Sequence, residues 1–170
     1  MVTRMGSLVN ECLSKHEGGE RFFDAIDEKL RNDNLLITMM IGKVLQNETF
    51  DYLIVSGSFG KVFKDFCSNH IGSDFSNNVI VVNGGIRKGN EVEPFYKQYD
   101  IKNKNLIFID DSYYLGRTRD KIEESIINNG GKLVSSYVFY DGSKEKDDSV
   151  HSFYRYYDHY PEVQKKYRRW

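Results

Sequence analysis

The sequence predicts an α/β protein with an open, mostly parallel sheet flanked by helices, and three observations predict it. Tyr52-Leu53-Ile54-Val55, Val79-Ile80-Val81-Val82 and Leu106-Ile107-Phe108-Ile109 are apolar runs without alternation, as in strands buried on both faces. Stretches with helical spacing separate or flank them. The first and third runs also end in glycine-containing polar loops that lead into helices, the place where such sheets bind ligands.

The 170 residues are one domain's worth, long enough for a full core. Residues 1–50 read as N-terminal helices, 51–140 as the core with a lid at 83–104, and 141–170 as a C-terminal cap or tail. The formal net charge is −1, and no long run of one sign marks out a dedicated polyanion-binding face, although the last dozen residues lean basic. Cys12 and Cys67 lie far apart and outside any C-x-x-C spacing, which suits reduced thiols better than a disulfide or zinc site. His16, His70, His151 and His159 lack metal-ligand spacing. The opening M-V-T-R-M-G-S-L-V-N-E-C-L has no continuous apolar core of a secretory leader, and no eighteen apolar residues run together. A cytoplasmic protein without a membrane segment is expected.

Taken in order, Phe22, Phe23, Ile26 and Leu30 fall at offsets of three and four, and a second apolar group runs from Leu35 to Leu45. Two helices covering one sheet face account for both. After the first strand, Ser56-Gly57-Ser58-Phe59-Gly60-Lys61 forms a phosphate-friendly loop ahead of a helix reaching about His70. The second strand leads into a long polar connection, 83–104; loops longer than about fifteen residues are commonly lids or binding loops. Arg87 and Lys88 in it are either cations brought to a diphosphate or ordinary solvated charges.

The third strand ends at Asp110-Asp111, and Gly116-Arg117-Thr118 then opens a helix. Ile122, Ile126 and Ile127 give that helix an apolar edge, and Asn129-Gly130-Gly131 ends it. Leu133 to Tyr140 forms the fourth strand. A loop between strand and helix presents free N–H groups and the positive end of the helix dipole, so its natural guest is a phosphate. Two carboxylates beside it suit a sugar phosphate, whose hydroxyls need acceptors. The tail mixes Phe153, Tyr154, Tyr156, Tyr157, Tyr160, Tyr167 and Trp170 with Arg155, Lys165, Lys166, Arg168 and Arg169. Rings packing on the domain explain it better than a nucleic-acid surface, given the near-zero net charge.

Asp110-Asp111-Ser112-Tyr113-Tyr114-Leu115-Gly116-Arg117-Thr118 resembles the phosphoribosyl pyrophosphate (PRPP) signature of type I phosphoribosyltransferases, with Leu115 where the first Thr of Thr-Gly-x-Thr would stand. Ile54-Val55-Ser56-Gly57-Ser58-Phe59 is similar to the diphosphate loop of hypoxanthine-guanine phosphoribosyltransferases, with Ser56 in the lysine position. Tyr114-Leu115-Gly116-Arg117-Thr118 is closer to the pyrimidine-operon regulator with uracil phosphoribosyltransferase activity, so the resemblance leaves purine and pyrimidine bases both open. It implies a Mg²⁺-dependent enzyme of nucleotide salvage that transfers the phosphoribosyl group of PRPP to a nucleobase or related heterocycle. Asp110 and Asp111 would be the catalytic and metal-binding acids. Tyr113, Tyr114, Leu115, Gly116, Arg117 and Thr118 would form the 5-phosphate loop, and Ser56, Gly57 and Ser58 the diphosphate donors. Lys144 with Phe139 or Tyr140 would hold the base, and a homodimer is open. The alternative is a regulatory protein that keeps the PRPP pocket without turnover; Leu115 and Ser56 support it.

Overall fold

A computed structural model describes residues 2–16, 20–83 and 94–159. Its elements are α1 (Val2–His16), α2 (Glu20–Arg31), α3 (Asn34–Asn47), β1 (Tyr52–Ser56), α4 (Gly57–His70), α5 (Ser73–Asn77), β2 (Val79–Val82), a 3₁₀ turn (Phe95–Lys97), β3 (Asn105–Tyr113), α6 (Arg117–Asn128), β4 (Lys132–Asp141), β5 (Val150–Arg155) and α7 (Tyr156–His159). The five strands form one all-parallel sheet in the order β2-β1-β3-β4-β5. No described helix is long and apolar enough to cross a membrane.

Strand alternation sends successive side chains to opposite faces, and both faces are covered. Leu53, Val55, Ile107 and Ile109 pack with α1 to α4. Ile54, Leu106 and Phe108 pack with Ile122 and Ile126 of α6. Ile127, read as part of the same helical edge, is exposed. The α1 stripe Met5, Leu8, Val9 and Cys12 has offsets of three, four and seven and is buried in the first cluster. Leu36, Ile37, Met40, Ile41 and Val44 do the same for α3, whose first turn is capped by Asp33 accepting from the Leu36 N–H at 3.1 Å. Cys12 and Cys67 are both buried.

Besides α1, a third helix where two were expected, two stretches differ from the sequence expectation. Of the connection expected to be a lid, 84–93 lies outside the described residues and the second half is anchored: Phe95 and Ile101 are buried in the α6-side cluster, and Tyr99 meets Tyr52 edge-on at 5.9 Å. Burying each of those two side chains stabilises by about 1.5–3 kcal/mol, which fixes 94–104 to the sheet. The segment expected as a C-terminal cap or tail contains β5, paired to β4 from Ser136↔Val150 to Asp141↔Arg155.

Candidate site at the strand ends

The order of the strands defines one reversal. From β1 the chain moves to β2 on one side, then crosses back to β3 on the other. After β1 it enters α4 on one face of the sheet, and after β3 it enters α6 on the opposite face. A crevice opens beyond the carboxyl ends of strands whose connections part in this way. Both sequence-predicted loops lie at its rim.

On the β1 side, Ser56 is the N-cap of α4 but makes no side-chain cap bond. Its hydroxyl donates instead to Asp110 Oδ2 at 2.9 Å, and both residues are buried. This bond spans the reversal. Gly57 has φ +61°, a left-handed turn that glycine adopts at least cost. Gly60 lets α4 approach β1 closely, since a Cβ there would stand 3.0 Å from the Val55 carbonyl carbon. Ser58 is exposed, and its Oγ accepts from the Arg31 guanidinium at the end of α2 at 2.5 Å.

On the β3 side, Asp110 and Asp111 are only 8 % and 6 % exposed. Buried carboxylates need donors. Asp110 Oδ1 accepts from the Asp111 N–H at 3.0 Å, and Asp111 Oδ1 from the Ser112 hydroxyl at 3.2 Å. By alternation Asp110 follows Leu106 and Phe108 toward the α6 face, and Asp111 follows Ile107 and Ile109 toward the α4 face. Each acid thus lies on the side of one helix start. Either hard carboxylate could give a ligand to a cation that takes most of its others from a bound phosphate. Among the described residues no group of three or more His, Cys, Asp or Glu could hold a metal by itself.

The loop to α6 is shaped by Gly116, which is left-handed at φ +69° and caps the helix without a side-chain bond. A Cβ on Gly116 would lie 2.8 Å from the Tyr113 hydroxyl oxygen. Tyr114 is half-buried against Tyr140. Leu115 is 72 % exposed, Arg117 is exposed and Thr118 half-buried. Arg119 fastens the first turn by donating to Ser136 Oγ at 3.1 Å and pairing with Glu123 at 3.1 Å.

A second loop, 142–149, joins this one. The Gly142 N–H donates to the Tyr113 carbonyl at 2.9 Å. The Tyr113 hydroxyl donates to Asp147 at 2.7 Å. Burial and that carboxylate raise the Tyr113 phenol above its ordinary pKa. Beneath the loop, Arg155 pairs with Asp141 at 3.2 Å and donates to the Ser143 and Lys144 carbonyls at 3.1 and 3.3 Å.

The base-side expectations divide. Phe139 is fully buried, its ring packed at 5.7 Å against both Phe59 and Phe153, so it is corrected to a core residue that no ligand can reach. Tyr140 is 1 % exposed, covered by Tyr114, Tyr154 and Tyr156. Tyr114 and Tyr156 are the partly exposed rings outside it. Tyr156 was missed because its neighbourhood is made by β5. Lys144 is exposed. Arg87 and Lys88, and the tail from Tyr160 to Trp170, lie outside the described residues.

No protein-family model matches the chain, and no curated protein does. Solved structures do. The purine phosphoribosyltransferase from Pyrococcus horikoshii Ot3 is similar over 70 % of this chain and 79 % of its own, with a TM-score of 0.50 and 16 % identity. Leishmania donovani UMP synthase is similar over 81 % of this chain but 29 % of its own, with a TM-score of 0.48 and 19 % identity. A hypoxanthine-guanine phosphoribosyltransferase from Bacillus anthracis is similar over 76 % of this chain and 78 % of its own, with a TM-score of 0.45 and 15 % identity. The sheet order, the two loops at its reversal and the likeness to the Pyrococcus structure lead to one statement: the chain adopts the type I phosphoribosyltransferase fold.

Proposed function

We propose that the protein is a phosphoribosyltransferase, breaking the bond between carbon 1 of PRPP and diphosphate and forming one from that carbon to a ring nitrogen of a nucleobase. The observation that carries the reading is the Ser56–Asp110 bond, which sets two buried acids between two helix starts that lack side-chain caps. A pentose with a phosphate at one end and a diphosphate at the other matches that arrangement of acceptors between donors. Asp110 and Asp111 would orient the ribose hydroxyls and, as the positive charge spreads over the ring in the transition state, stabilise it. The backbone from Tyr114 to Thr118, with the Thr118 hydroxyl, would hold the 5-phosphate. Ser56, Gly57 and Ser58 would donate to the diphosphate. Tyr114 and Tyr156 offer ring surface to the base, with Lys144 nearby in sequence to the loop they border.

The acids fit Mg²⁺ bound chiefly through substrate phosphates; when bound, it would neutralise charge on the departing diphosphate. Holding the reactants in line and excluding water would supply most of the acceleration, with no nucleophilic side chain required. A second reading, a PRPP-binding regulator without turnover, is favoured by the solvent-facing Leu115 in the phosphate loop. Incubation with PRPP, Mg²⁺ and a panel of purine and pyrimidine bases tests both. Diphosphate release with one base supports the enzyme; saturable PRPP binding without release with any base supports the regulator. Failure to bind PRPP overturns both.

A further inference from the structure

Arg31, the last residue of α2, donates to the Ser58 hydroxyl in the first turn of α4. This places a guanidinium at the positive end of a helix dipole. The same turn contains no acidic residue. Its N-cap hydroxyl is turned away to Asp110 rather than to the helix. Among the described residues no carboxylate forms an ion pair with Arg31, whereas Arg4, Lys29, Lys104, Arg119, Lys146 and Arg155 all have one. Two positive features therefore face each other. In the sheet, α4 begins at the reversal beside the two acids, so an anion placed there would meet the helix N–H groups, the Ser58 hydroxyl and Arg31 together.

We infer that Arg31 is a binding residue for the diphosphate of PRPP, supplying from α2 the positive charge that the loop itself lacks at Ser56. The inference rests on the proposed function, because it needs a diphosphate at the start of α4. Arginine suits the role. Its planar fork can keep one N–H on Ser58 and turn others toward two phosphate oxygens, which a lysine could do only as a point charge.

The test separates this from a tether between α2 and α4. Binding of PRPP, inorganic diphosphate and ribose 5-phosphate would be measured by calorimetry on the whole chain carrying Arg31→Gln, Arg31→Ala or Arg31→Lys. Glutamine keeps a donor for Ser58 and drops the charge, so it guards against a variant that merely unfolds. A lost charge-assisted contact corresponds to roughly a tenfold or greater loss of affinity. That loss is expected for PRPP and diphosphate in Arg31→Gln and Arg31→Ala, with partial recovery in Arg31→Lys. Ribose 5-phosphate affinity should stay within about twofold, since it reaches only the other loop. Equal affinities of Arg31→Gln and the parent for PRPP and diphosphate, or equal losses for all three ligands, would overturn the inference. If the parent protein binds no PRPP, the proposed function itself falls, a result distinguishable from either.

Discussion

The Tyr113 hydroxyl and Asp147 Oδ2 lie 2.7 Å apart in a hydrogen bond that fastens the end of β3 to the connection between β4 and β5. Burial pushes the Asp147 carboxyl up, but bonds from Ser149 and Tyr113 outweigh it and hold the group below the usual carboxylate range. A depressed native pKa stabilises the fold above the unfolded value of about 3.9 and stops doing so as pH falls through the native value. Tyr113→Phe should therefore cost about 1 kcal/mol at neutral pH, or about 2–4 °C in Tm for a chain of this size. The difference from the parent should shrink in acid below the carboxylate range. Melting curves across that interval check it; a difference that persists unchanged in strong acid would refute the assignment.

Tyr137 gives the opposite sign. Burial first, and then its 3.0 Å hydrogen bond to Glu48, push its phenol up to about 12. Ser135 shares the same carboxylate oxygen at 2.6 Å. A raised native pKa contributes stability in full below the unfolded value near 10 and loses it as pH climbs through about 12. Tyr137→Phe should be less stable than the parent at neutral pH and show a shallower decline between those values. Denaturant titrations at stepped alkaline pH measure this. An unchanged slope would mean the phenol is already ionised or already free in the folded protein.

How much of this was legible beforehand follows from what each element is made of. The strands β1, β2 and β3 announce themselves because they are buried on both faces and read as unbroken apolar text. Ser56 and Asp110 are visible as residues, but the bond between them is not. It depends on parallel register, with Val55 opposite Ile109, and no local pattern encodes which strand lies beside which. β5 was illegible for a related reason. Val150, Phe153 and Tyr154 are buried while His151 is exposed, so the segment lacks both a continuous run and a strict alternation, and its aromatics merge with those of the tail. Phe139 went wrong through alternation: in a doubly covered strand the sequence does not say which face looks at the site, and this ring faces the α4 side. In α1 the spacing of Met5, Leu8, Val9 and Cys12 carries a helical signal, weakened by the few apolar residues around it.

Two glycines should respond oppositely to the same change. A Cβ on Gly142 would meet the Tyr114 ring at 2.6 Å and the Tyr140 ring at 2.9 Å. Rings anchored by packing do not yield cheaply, so Gly142→Ala should cost about 1–3 kcal/mol and displace Tyr114. Gly42 in α3 has nothing within 4 Å of the corresponding point. There Gly42→Ala removes only the entropy penalty of glycine in a helix and should stabilise by about 0.5–1 kcal/mol. Urea unfolding of both variants decides the matter. A stabilised Gly142→Ala would show that Tyr114 is free to leave its place over the loop.

The two acids can be tested by what they should not do. If Asp110 and Asp111 grip hydroxyls, neutralising either should weaken ribose 5-phosphate binding, because an amide replaces a charged acceptor with a neutral one of roughly half the strength. The phosphate itself would be held by N–H groups of the Gly116 turn and α6, which neither substitution touches. Removing a nearby negative charge even favours an anion, by an amount that the local dielectric sets. Asp110→Asn and Asp111→Asn should thus each lower ribose 5-phosphate affinity by about tenfold, while inorganic phosphate binds as well as before or better. Asp110→Asn should also perturb β1, since Ser56 donates to that carboxylate at 2.9 Å, and a Ser56→Ala background should absorb that part of its effect. Calorimetric titration of the two ligands into each variant provides the comparison. Loss of both in parallel would point to a collapsed loop, and retention of both would remove the acids from the site.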